Sequence, residues 1–86
     1  MGRMVIITRG WVGEPKRGTN GRLMLFTNEK LGLTAEYDGE MGILAVRRDA
    51  DGRQILHERS ADMRLREVLK MLSNVARDEE ALRHND

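Results

Sequence analysis

Hydrophobic positions along the chain fall into two regimes. Up to about residue 59 they come as short runs divided by turn-forming residues, and beyond it they recur every three or four positions. The first regime reads as strands. Met4-Val5-Ile6-Ile7-Thr8 predicts one over 3–9, and Leu23-Met24-Leu25-Phe26 a second over 22–27. After a turn at Asn28-Glu29-Lys30, Leu33, Ala35 and Tyr37 alternate with Thr34 and Glu36, the mark of a half-buried strand over 33–37. Asp38-Gly39 follows directly and predicts a two-residue hairpin turn of type I′. A fourth strand is expected over 41–48, a turn at Asp49-Ala50-Asp51-Gly52, and a fifth strand over 53–58.

Between the first two runs lies residues 10–21, which holds four glycines and the only proline. Gly supplies positive φ and Pro cannot donate to a ladder, so this segment reads as a long basic loop, with room for a short extended piece near Trp11-Val12. In the second regime Ser60 reads as a helix N-cap and Asp62 faces the positive end of the helix dipole. Ala61, Leu65, Val68, Leu69, Leu72, Val75, Ala76 and Leu82 then form one apolar stripe. No glycine closes this helix, and the acidic Asp78-Glu79-Glu80 opposes its dipole, so 78–86 is expected to fray. The fold class that follows is α+β: an antiparallel β-meander of about five strands followed by one C-terminal amphipathic helix packed on the sheet. Residues 1–86 make a single domain, since the length is enough for one and too short for two.

The strands carry more apolar surface than this architecture needs. Met4-Val5-Ile6-Ile7, Leu23-Met24-Leu25-Phe26 and Ile43-Leu44-Ala45-Val46 are apolar on both faces, and one helix covers one face. The second face is expected to be covered in one of three ways: the sheet curls into a partial barrel, a second copy packs on it, or a different protein binds there.

Composition narrows the chemistry. There is no cysteine, which removes disulfides, thiolate catalysis and Cys-ligated zinc. Fifteen basic and fourteen acidic side chains give a net charge of +1 and no global attraction to nucleic acid or an anionic membrane. Neither a secretory signal nor a transmembrane span can be drawn, and a cytoplasmic location is expected. His57 and His84 are isolated and Ser60 is taken up by capping, so no catalytic, cofactor-binding or metal-binding residues are expected and the chain does not read as an enzyme.

Two functional expectations remain. The first is a small non-enzymatic protein-binding module, its partner another protein or a second copy. By compositional analogy alone, small cysteine-free α+β chains of this kind are frequent among phage-encoded inhibitors of host complexes, anti-CRISPR proteins included. The alternative is a nucleic-acid-binding accessory protein. Its candidate surface is the basic loop with Arg9, Lys16, Arg17 and Arg22, with Trp11 stacking on a base, extended by Arg47 and Arg48.

Overall fold

The structure, a computed structural model, describes residues 6–84. Six strands, β1 (Ile6–Thr8), β2 (Trp11–Pro15), β3 (Leu23–Asn28), β4 (Leu33–Asp38), β5 (Ile43–Arg48) and β6 (Gln54–Arg59), precede one helix, α1 (Leu65–His84). They form one antiparallel sheet in the order of the chain. This is the meander and C-terminal helix that the hydrophobic pattern predicts. Residues 3–5 of the expected first strand lie outside the described residues.

The added strand is β2, inside the segment 10–21 that reads as loop. Its Gly13 sits opposite Phe26, whose ring occupies the space a Cβ would take. A glycine under a cross-strand aromatic is compatible with a strand, and Pro15 is the strand's last residue. Loop remains at residues 16–22.

Turn chemistry also departs from the expectation. Both Arg9 (φ 46°) and Gly10 (φ 85°) are left-handed, so the two-residue turn joining β1 and β2 has the I′ form. Buried Asn28 braces it: its side-chain amide donates to the Arg9 carbonyl at 3.2 Å, and its Oδ1 accepts from the Leu31 amide at 3.1 Å. At Asp38-Gly39, by contrast, there is no two-residue turn. Asp38 pairs with Ile43, the loop is 39–42, and the left-handed residue is Gly42 (φ 68°). The Asp38 carboxylate holds this loop by accepting from the amides of Glu40 and Met41, both at 3.0 Å. A two-residue turn would set Glu40 opposite Tyr37 on the face beneath the helix. The longer loop sets Leu44 there and aligns Ala35 with Val46.

The core lies between α1 and one face of the sheet. Trp11, Phe26, Leu33, Ala35, Leu44 and Val46 meet Val68, Leu72 and Ala76, all fully buried. The Trp11 indole Nε1 donates to the Leu72 carbonyl at 2.8 Å, and the Tyr37 hydroxyl to the Met63 carbonyl at 2.9 Å. Burial of the Tyr37 phenol, reinforced by Glu67 and Asp38, raises its pKa above the ordinary value.

Both helix ends differ from expectation. The first residue is Leu65, and Ser60 is not its cap. Arg64 takes that place: its amide donates to Glu67 Oε1 at 3.0 Å, one half of a capping box, and its carbonyl accepts from Val68 at 3.0 Å. Ser60 closes the preceding turn instead, accepting from the Met63 amide at 3.1 Å. The Ser60 amide donates to the Gly42 carbonyl (2.8 Å) and Tyr37 holds Met63, so 60–63 are tied to the sheet before the helix starts. At the other end the helix runs on through 78–84, where fraying was expected. Arg48 pairs with Glu79 at 3.4 Å, and Arg83 donates to the Lys30 and Leu31 carbonyls at 3.2 and 2.7 Å. Among the described residues no helix is long and apolar enough to cross a membrane.

Two glycines with the same backbone separate strain from space. Gly52 (φ 69°) has nothing within 4 Å of an added Cβ, whereas at Gly42 that atom would run into the Ser60 carbonyl. Gly52→Ala is expected to cost about 1 kcal/mol, from the left-handed backbone alone. Gly42→Ala should cost at least ~3 kcal/mol, since overpacking adds to that strain. Urea titration of the two variants checks the difference. Arg83→Ala should speed amide exchange over 80–84 while lowering global stability by no more than about 1 kcal/mol, as for an exposed polar contact.

Candidate functional site

Side chains alternate across a strand, so the core face dictates what the other face receives. Among the described residues the sheet does not close, because β1 and β6 stand at opposite edges without pairing. Its second face is therefore open among the described residues. β3 presents Leu23, Leu25 and Thr27 there, and β4 presents Thr34, Glu36 and Asp38 beside them. Beyond β4, β5 presents Ile43, Ala45 and Arg47. Leu23, Leu25, Ile43 and Ala45 are half-buried, and Val12 on β2 is 41% exposed. Two aliphatic columns thus flank a polar one.

A bulge decides what β6 adds. Arg47 pairs with Gln54, yet Val46 pairs with Leu56, leaving Ile55 as the extra residue. A straight continuation would turn His57 and Arg59 under the helix. The bulge lets Ile55 and Leu56 both pack on the core, and sets His57 beside Ala45 and Arg59 beside Ile43 on the open face.

Charges on this face are unevenly compensated. Lys16 Nζ reaches across β3 to Glu36 Oε2 at 3.1 Å. Arg22 lies 3.1 Å from Asp38 and 3.7 Å from Glu40. The Arg22 hydrogen bond, followed by the Met41 amide, holds the Asp38 carboxyl below the ordinary carboxylate pKa. A shallow groove of about 480 Å³ opens beside this cluster, lined by Glu14, Pro15, Lys16, Arg17 and Leu25. On the β5–β6 half, Arg47 and Arg59 are exposed and form no ion pair among the described residues.

The residues singled out from the sequence do not form one surface. Lys16, Arg17 and Arg22 gather where β2 hands over to β3. Arg47 sits at the far end of β5, and Arg9 in the β1–β2 turn. Arg48 points to the helix side, where it meets Glu79 and Asp51 (3.9 Å). Trp11 is wholly buried and bonded to the helix backbone, so it is not a stacking platform. His57 and Arg59 are open-face residues whose placement the strand pattern alone did not reveal. The signal for them was the doublet Ile55-Leu56, two adjacent apolar residues in a strand that faces a core on one side only.

Among the described residues no three His, Cys, Asp or Glu side chains are grouped so as to hold a metal ion. No family model matches the chain, and no curated protein or solved structure matches it significantly.

The Arg22–Asp38 pair yields a pH prediction. A carboxyl whose folded pKa is depressed adds stability above its unfolded value, near 4, and loses it as pH falls through the folded value. Arg22→Gln should therefore be less stable than the parent chain at pH 7, and the gap should close as pH falls below about 4. Urea midpoints measured across that range check it.

Proposed function

We propose that this chain is a non-enzymatic protein-binding module that engages its partner through the open face of the sheet. The observation that carries this reading is the pair of half-buried aliphatic columns, Leu23-Leu25 and Ile43-Ala45, which no second layer of strand or helix covers among the described residues; only the Lys16 and Arg22 side chains, paired with Glu36 and Asp38, reach over the β3 column. Each Å² of apolar surface removed from water is worth about 25 cal/mol, so a partner that covers the columns gains from them directly. The face is roughly 24 Å across five strand spacings and about 20 Å along the strands, on the order of 500 Å². That is below the ~800 Å² per partner of a standard interface, and it suits a regulatory or inhibitory contact of moderate strength. The analogy with small phage-encoded inhibitors agrees with such a role and rests on composition and size alone.

The nucleic-acid alternative gains no specific support. Its stacking residue Trp11 belongs to the core, and Lys16 and Arg22 already face carboxylates.

Leu25 and Ile43 lie outside the buried core cluster, so Leu25→Lys with Ile43→Lys should keep the fold, as read by circular dichroism. Used as bait beside the parent chain, this double variant is expected to lose the proteins that the parent captures. Identical capture by both chains would sink the reading.

A further inference from the structure

We infer that the β5–β6 half of the open face recognises an extended acidic segment of a partner protein, with two carboxylates four positions apart and an aliphatic residue between them. The inference rests on the docking face proposed above and assigns the chemistry of its occupant.

Charge and spacing carry it. On the β2–β4 half the cations Lys16 and Arg22 are matched by Glu36, Asp38 and Glu40. On the β5–β6 half Arg47 and Arg59 form no ion pair among the described residues, although the Asp49 carboxylate, accepting from the Thr34 hydroxyl at 2.6 Å, stands beside Arg47; Ala45 and His57 lie between the two arginines and Ile43 beside Arg59. Arg59 sits opposite Ile43, four residues along β5 from Arg47. At ~3.4 Å per residue and one strand spacing, the two Cα atoms are about 14 Å apart. An extended chain repeats the same side every second residue, so its positions i and i+4 span roughly 13.5 Å, with i+2 over Ala45 and His57. Acid, aliphatic and acid at i, i+2 and i+4 therefore match Arg47, the Ala45 methyl beside the His57 ring, and Arg59.

Two other occupants fit less well. A second copy packed centrally about a two-fold axis in the plane of the face lays β4 on β4 and sets Glu36 against its own counterpart, the like-charge arrangement that interfaces avoid. A phosphate backbone offers nothing aliphatic to Ala45 and Ile43, and the chain's three aromatics are all buried, so no base finds a stacking partner.

The test is selection of a phage-displayed random 12-residue peptide library on the immobilised full chain. Enriched peptides are then titrated by fluorescence anisotropy against the parent chain, Arg47→Ala with Arg59→Ala, and Leu25→Lys with Ile43→Lys. The expected result is enrichment of Asp or Glu at i and i+4 around an aliphatic i+2. Affinity should fall at least tenfold in the double arginine variant and weaken steeply with salt. Peptides without the acidic pair, or equal binding by the double arginine variant, overturn the inference. If such peptides still lose binding in the Leu25→Lys, Ile43→Lys chain, the docking face survives and only its acidic occupant falls. If that variant binds them normally, both fall. Failure to enrich any peptide, concentration-dependent dimerisation in light scattering, or stronger arginine-dependent binding of a 12-base-pair duplex also overturns it, the last two in favour of a second copy or of nucleic acid.

Discussion

One helix can close only one face of a six-stranded sheet, and the rest of this structure follows from that constraint. At 1.5 Å per residue α1 is ~30 Å long, enough to cross the sheet, but it is one element wide. Its buried positions Val68, Leu72 and Ala76 therefore gather every large core side chain to the same side. Trp11 and Tyr37 can be buried there because their polar atoms reach helix-side carbonyls at Leu72 and Met63. Among the described residues no buried side-chain nitrogen or oxygen lacks a partner. A polar group left unpaired in so thin a core would cost roughly 1–3 kcal/mol, a large share of what a domain of this size has.

With the core face fixed, register determines the open face, and two local devices set the register. The loop 39–42 with left-handed Gly42 brings Leu44 rather than Glu40 opposite Tyr37. The bulge at Ile55 turns Leu56 inward and His57 and Arg59 outward. Neither device touches the helix stripe, yet each decides which charges can meet water or a partner. The Gly42 carbonyl also accepts from the Ser60 amide, so the same turn that sets the β4–β5 register anchors the connection into α1.

The apolar runs and the 3.6-residue stripe made the meander and the helix legible in the sequence, because burial drives both. What escaped were features decided by distant partners. Arg9-Gly10 holds the I′ turn partly through Asn28, nineteen residues away, while the better-looking Asp38-Gly39 pair yields to the packing of Tyr37 on Leu44. Residues 78–84 stay helical through Arg83 and the Lys30 carbonyl, fifty-three residues apart in the chain. Gly13 and Pro15 looked like loop signals, yet the ring of Phe26 supplies what Gly13 lacks. Grouping cations by closeness in sequence failed for a simpler reason: Arg47 and Arg48 are adjacent, and adjacent strand residues point to opposite faces. The excess of apolar surface was legible, and the structure gives it a place, on β3 and β5 either side of β4.

A net charge of +1 conceals an asymmetry across that place. One half of the open face neutralises itself through Lys16–Glu36 and Arg22–Asp38, and on the other half Arg47 and Arg59 form no ion pair among the described residues, with the Asp49 carboxylate held by Thr34 beside Arg47. Protection of an edge strand is the obvious competing explanation, since charges and bulges on an edge deter pairing with other chains. It accounts for Arg59 and for the bulge at Ile55, both on β6 at the sheet's edge. It does not account for Arg47, which lies one strand inward on β5, where no backbone edge needs guarding. An exposed cation on an interior strand, in line with Ala45 and Ile43 and in no ion pair among the described residues, is placed to meet something lying over the face rather than beside it.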